Sequence, residues 1–177
     1  MRNARFLLCT IAAVNLFCTG TQSQAADALD ASPEQKVLDR ELGKWHQTNT
    51  FFKAKWTPKQ TQGTGTGSGS RILNGRFVEL KLKLSDGSRL LILKTYDAQR
   101  KCYRRWDFHS NGTVGESIGR WDADAETMTW SHTTGDGLTN TLINRYPDAN
   151  TIQSSLVIKD RNGEVCLHVE VKSTRAE

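Results

Sequence analysis

The stretch Val78-Glu79-Leu80-Lys81-Leu82-Lys83-Leu84-Ser85-Asp86-Gly87-Ser88-Arg89-Leu90-Leu91-Ile92-Leu93-Lys94-Thr95 reads as two β-strands folded about an Asp-Gly turn. The device recurs. Turn signals stand at Asp86-Gly87, Asp97, Asn111-Gly112, Asp122, Asp136-Gly137, Asp148 and Asn162-Gly163, at intervals of eleven to fourteen residues with β-rich sequence between them. No helical segment separates these strands, so the chain is an antiparallel hairpin meander, which must curl into a closed barrel or split into a sandwich. Strands are expected at about 71–85, 88–96, 102–109, 113–121, 127–133, 138–146, 151–159 and 164–174, and two before them bring the count to about ten.

Upstream, Gly63-Thr64-Gly65-Thr66-Gly67-Ser68-Gly69-Ser70 alternates glycine with small hydroxyls. As a strand it would have one face without side chains, open to something bulky. A flexible loop is the other reading, whereas a phosphate cradle would need a helix after the glycines, and strand sequence follows instead. Before it, Ser32-Pro33-Glu34-Gln35 supplies an N-cap hydroxyl, a first-turn proline and a Gln placed to close a capping box. Val37, Leu38 and Leu42 give this short helix an apolar stripe, and Gly43 is placed to end it. A first strand runs from Gly43-Lys44-Trp45 to about Trp56.

Residues 1–25 belong to another class of segment. Arg2 and Arg5 flank an apolar run from Phe6 to Phe17, followed by a polar stretch and Ala25-Ala26, the pattern of a secretory signal peptide. Residues 26–31 form a short leader, and 32–177 a single β-barrel domain. The mature protein is expected to be periplasmic or secreted, without stable membrane insertion. Cleavage removes two arginines, leaving 22 basic against 19 acidic residues, a charge of +3, and no basic stripe that favours nucleic acid. Only Cys102 and Cys166 survive it, on strands too far apart in a meander for direct pairing to be expected.

Two-residue turns would fix the registers, and with them the faces. The Asp86-Gly87 turn then pairs Leu82 with Leu91 and Leu80 with Leu93 as core, leaving Leu90 and Ile92 outside. The Asn111-Gly112 turn puts Cys102, Arg104, Trp106 and Phe108 inside opposite Trp121, Gly119, Ser117 and Gly115. The Asp136-Gly137 turn sends Met128, Trp130, His132 and Arg145 inward, and the Asn162-Gly163 turn does the same for Ile158, Leu156, Leu167 and Val169. Cys166, His168 and Glu170 fall on the opposite face, as a solvated strand rather than a metal site. With no acid on the assigned inner face, Arg104, Trp106, Trp130, His132 and Arg145 are the candidate ligand-binding residues, an anionic head meeting the arginines and an apolar body the tryptophans. Arg104 and Arg145 serve equally as mouth residues that cap strand ends.

Leu42-Gly43-Lys44-Trp45 after a short helix, with a meander closing near Arg175, resembles the calycin superfamily. The resemblance implies an up-and-down, lipocalin-like barrel in which Gly43, Trp45 and Arg175 close the structure, the basic residue of the last strand packing over the tryptophan of the first. Leu42-Gly43-Lys44-Trp45, Ile72-Leu73-Asn74-Gly75-Arg76-Phe77, Tyr96-Asp97 and Trp106-Asp107 through Asn111-Gly112-Thr113 resemble the bacterial domain-of-unknown-function family 1579 over nearly the whole mature chain. Members often carry glycine where this chain has Thr95, and its glycine-serine run is unusually long. That family brings no activity with it.

The expected function is therefore binding of a small apolar or amphipathic, anionic molecule in the barrel. The alternative is a filled barrel that touches another envelope component through an apolar patch at Leu90 and Ile92. A haem carrier would need an inward histidine, for which His132 has the parity and His168 does not. No H-E-x-x-H, G-x-S-x-G or cysteine-histidine pairing supports catalysis, and no metal site is expected.

Overall fold

The computed structural model describes residues 31–177; the signal peptide and all but the last leader residue lie outside the described residues. Helix α1, Pro33–Val37, begins under the Ser32 hydroxyl, which accepts from Gln35 N at 3.3 Å, and passes into a 3-10 turn at Leu38–Glu41. Gln35 does not close a capping box. Its side-chain amide instead donates to Thr95 Oγ1 at 3.1 Å, tying the helix to the barrel.

Ten strands follow: β1 Gly43–Phe51, β2 Thr61–Ile72, β3 Phe77–Leu84, β4 Arg89–Asp97, β5 Cys102–His109, β6 Val114–Asp122, β7 Thr127–Thr133, β8 Thr139–Asp148, β9 Thr151–Lys159 and β10 Val165–Arg175. Each pairs antiparallel with the next, and β1 pairs β10, so the sheet closes on itself without a free edge. The expected strand at 71–85 is broken by a turn at Leu73 and Asn74, both in the left-handed region, which separates β2 from β3.

The four Asp-Gly and Asn-Gly turns crowd one end of the barrel; α1 and the 3-10 turn cover the other. None is a two-residue turn. Leu84 N donates to Ser88 O at 2.9 Å and Gly87 N to Leu84 O at 3.0 Å, enclosing three residues, with Gly87 at φ +87°. His109/Thr113, Thr134/Leu138 and Asp160/Glu164 repeat that pattern with Gly112, Gly137 and Gly163 at positive φ. This is a type I turn completed by a left-handed glycine, the three-residue hairpin loop. Each slips the pairing by one residue, and a slip of one turns a whole strand over.

The slip leaves β3, β6 and β7 facing as the two-residue turns would have them and reverses β4, β5 and β8. Leu80 pairs Ile92, Tyr103 pairs Gly119, and Trp130 pairs Leu142. Leu90 and Ile92 are therefore inside and Leu91 and Leu93 outside. Arg104, Trp106 and Arg145 point out, contrary to the expectation from sequence, while Arg105, Asp107 and Asn144 point in. Between β9 and β10 the extra loop residue is absorbed by a bulge at Cys166, so Leu167 still pairs Ile158.

The glycine-hydroxyl run is a strand, and its bare face is inward. A Cβ on Gly67 would stand 2.7 Å from Leu82 Cδ2 and one on Gly69 2.2 Å from Glu41 O. The missing side chains make room for the β3 leucines and let the 3-10 turn rest on backbone. The core, Leu38, Trp45, Val78, Tyr103, Met128, Trp130, Tyr146 and Ile152, fills that helix-covered half.

Candidate functional site

At the closed end, Gly43 has φ +97°, and a Cβ there would lie 2.5 Å from Arg175 Nη1. Arg175 pairs Trp45 across β1 and β10, its guanidinium carbon sits 4.4 Å from the Trp45 ring centroid, and Nη1 donates to Leu42 O at 2.6 Å. The structure thus brings Gly43, Trp45 and Arg175 together, and the Trp45 indole N–H donates to Glu41 O at 3.1 Å.

Glu41 descends from the 3-10 turn into the barrel. Its Oε2 accepts from Lys94 Nζ at 2.5 Å and its Oε1 from the Tyr146 hydroxyl at 2.6 Å. Both members of the ion pair are buried, Lys94 at 2% exposure and Glu41 at 3%. Burial pushes the Glu41 carboxyl up, but the charge and hydrogen bond of Lys94, the Tyr146 hydroxyl and Arg105 outweigh it and hold the carboxyl below its ordinary value. Burial, with repulsion from Arg105, lowers the Lys94 ammonium despite Glu41. Lys94 also lies 5.1 Å from the Trp130 ring centroid. Asn144 turns its amide N–H toward Glu41 Oε1 at 3.5 Å, the orientation a carboxylate requires, leaving its buried Oδ1 without a partner.

Arg105, the second inward cation, donates from Nε and Nη2 to Asp107 Oδ1 at 2.9 and 2.5 Å. The interior is therefore charge-balanced, Lys94 against Glu41 and Arg105 against Asp107, where the assigned inner face lacked any acid. These four residues were missed because each lies on the 3-10 turn or on a strand that the loop slip reversed.

Above this floor a cavity of about 460 Å³ runs to the hairpin-loop end. Its walls include Leu80, Leu82, Ile92, Leu142, Leu156 and Val169. Arg89, His109 and Ser110 stand at its mouth together with Phe51, Leu84 and Leu90. The volume falls in the range of small-molecule sites, and the walls are apolar with a few polar groups, as such sites require.

Of the other candidates, Trp130 is inside at 1% exposure but belongs to the packed lower core, and His132 keeps its inward parity on β7 next to the mouth. Arg104 stacks on Trp106 on the outer surface, 4.8 Å from its ring centroid, and pairs Glu116 there. Arg145 pairs Thr127 on the outer face. His168 and Glu170 lie outside, His168 stacked on Phe52 at 4.5 Å. Cys166, expected to be solvated beside them, is buried at 1%: it occupies the bulge, and its carbonyl accepts from Trp56 N, so the β1–β2 connection covers it. Cys102 and Cys166 are both free thiols.

Closure by β1 and β10, a helix over one end and an open cavity at the other define a calycin-like barrel. It is similar to Rv2717c from M. tuberculosis, with a TM-score of 0.59 and 13% identity over 84% of this chain and 100% of that one. The S-type phycobiliprotein lyase CPES from Guillardia theta is similar at 0.56 and 10% identity, over 88% of this chain and 98% of its own. At these identities the likeness is one of fold. No protein-family model matches the chain, and no curated protein matches it.

Proposed function

We propose that this protein is an exported carrier of a small amphipathic molecule, held with its apolar part in the barrel and its anionic head at the mouth. One observation carries the proposal: the cavity is open, apolar-walled and of ligand size, and both cations on its floor already have their own carboxylates. A third anion buried beside them would be unpaired and costly. Arg89 begins β4 beside Lys83 on the outer side of the rim, is exposed, and can meet a head group that stays wetted there, next to His109, which is inward on β5. The barrel shape shared with the phycobiliprotein lyase supports small-molecule binding without naming the molecule.

Titration with cis-parinaric acid, a long-chain carboxylate whose emission rises in apolar surroundings, tests this. Saturable binding at one per chain is expected. Arg89→Glu should weaken it by roughly tenfold, an effect of the size expected for one exposed charge contact inverted, while Arg104→Gln and Arg145→Gln leave it unchanged. Emission that never rises would favour the filled barrel, with Leu91, Leu93, Trp106 and Phe108 as the outer patch touching a partner.

A further inference from the structure

Four of the six exposed large apolar side chains among the described residues stand at the mouth; the other two are Leu73, in the β2–β3 turn at the helix-covered end, and Ile118, midway along β6. Trp56, on the β1–β2 connection, is 52% exposed; Phe108 and Val114 flank the β5–β6 loop, and Val165 begins β10. In the strand order, β5 and β6 lie across the barrel from β10 and β1, so these residues stand on opposite sides of the opening. An apolar rim placed around an opening, rather than in one patch, matches a flat soft surface better than a convex partner.

Charge at the same end is uneven. Lys53, Lys59, Lys83, Arg89 and Lys159 are exposed there and take part in no ion pair among the described residues. The acids of that end are engaged locally. Asp86 and Asp136, bonded to the Ser88 and Thr134 hydroxyls, keep their charge, and Asp160 and Glu164 share Lys55, so that outside the inward Arg105–Asp107 pair seven cations, Lys53, Lys55, Lys59, Lys83, Arg89, Lys159 and Arg161, face these four carboxylates. Cationic groups interspersed with an exposed Trp and Phe form the surface that attracts anionic lipid headgroups and lets aromatic rings rest at the interface.

We infer that the mouth of the barrel docks reversibly on an anionic lipid bilayer, Trp56 and Phe108 resting at the headgroup level and the lysines on the lipid charge. The inference rests on the carrier reading, to which it adds a route. An amphipathic ligand leaving a bilayer enters the cavity tail first, its head staying at the interface beside Arg89, so its apolar part never crosses water.

Vesicle co-sedimentation tests it, using equal parts phosphatidylglycerol and phosphatidylcholine against phosphatidylcholine alone. Binding to the anionic vesicles should exceed binding to the neutral ones by more than about tenfold and collapse in about 0.5 M salt. Trp56→Ser with Phe108→Ser, and separately Lys59→Glu with Lys83→Glu, should each remove most of it. Lys36→Glu with Lys101→Glu, at the helix-covered end, should not. Failure of the unaltered protein to bind, equal loss with the helix-end variant, or a dimer in solution that the Trp56/Phe108 variant dissolves would each overturn the docking. The cavity is read out separately, by cis-parinaric acid in vesicle-free buffer: binding of that probe without vesicle binding rejects only the docking, and vesicle binding without the probe rejects only the cavity.

Discussion

Glu41 is the residue on which the closed end turns, because one carboxylate receives Lys94 and Tyr146 while its own carbonyl receives Trp45. Removing one member of a buried pair strands the other charge, so Lys94→Met should cost about 3–5 kcal/mol in urea unfolding. The double variant Glu41→Leu with Lys94→Met should recover most of that loss, since neither charge is then left alone. The pH dependence has a definite sign. Glu41 has a folded pKa held below its unfolded value, so its contribution is complete above the ordinary carboxylate range and is lost as pH falls through the folded value. Glu41→Gln should therefore lower stability at pH 7 and flatten the acid limb of a Tm-against-pH profile; an unchanged limb would show that the pair does not form. At this scale the Gly43, Trp45 and Arg175 arrangement was legible through the resemblance of Leu42-Gly43-Lys44-Trp45 to the calycin superfamily, which implied it. Glu41 and Lys94 were not, since no local pattern tells a helix-end carboxylate which strand will offer it a lysine fifty-three residues away.

The hairpin loops show how much one residue decides between elements. Gly87, Gly112 and Gly137 recur every twenty-five residues, so strands and turns could be counted from the chain, and ten strands were. Their faces could not be assigned so directly, because Asp-Gly and Asn-Gly serve both the two-residue turn and the three-residue loop with its left-handed glycine. The β5–β6 hairpin looked decisive because bulky Trp106 and Phe108 faced small Ser117 and Gly115. In the folded barrel the partners of Ser117 and Gly115 are Arg105 and Asp107, and the tryptophan stays outside. The glycine strand makes a sharper prediction. Gly69→Ala puts a methyl 2.2 Å from the Glu41 carbonyl and must lift the 3-10 turn, at a cost of about 1–3 kcal/mol by urea unfolding. Ser68→Ala, its outward neighbour, should cost almost nothing by comparison, about 0.5 kcal/mol at most.

The whole molecule is a barrel with two unlike ends. One is packed, covered by α1 and latched by Arg71, whose guanidinium reaches Asp39, Gly75 O and Gln35 O at 2.5 to 2.9 Å. The other is open, apolar-rimmed and basic. That polarity follows from topology: every loop of the Asp-Gly kind falls at the mouth and every connection of the Asp97, Asp122 and Asp148 kind at the helix end. The sequence could state closure but not the space enclosed, which depends on side chains from all ten strands meeting at once. On the carrier reading proposed above, this space is the ligand site. Leu156 lines it from β9, opposite Leu142 and Val169, and Leu156→Trp would place an indole in the opening without touching the Glu41 latch. The deciding measurement is cis-parinaric acid titration of the unaltered protein and the Leu156→Trp variant, both folded by circular dichroism. One probe per chain is expected for the first and at least about tenfold weaker binding for the second, the indole excluding an apolar tail that the cavity otherwise buries. Equal binding by the two, or none by the unaltered protein, would contradict that reading.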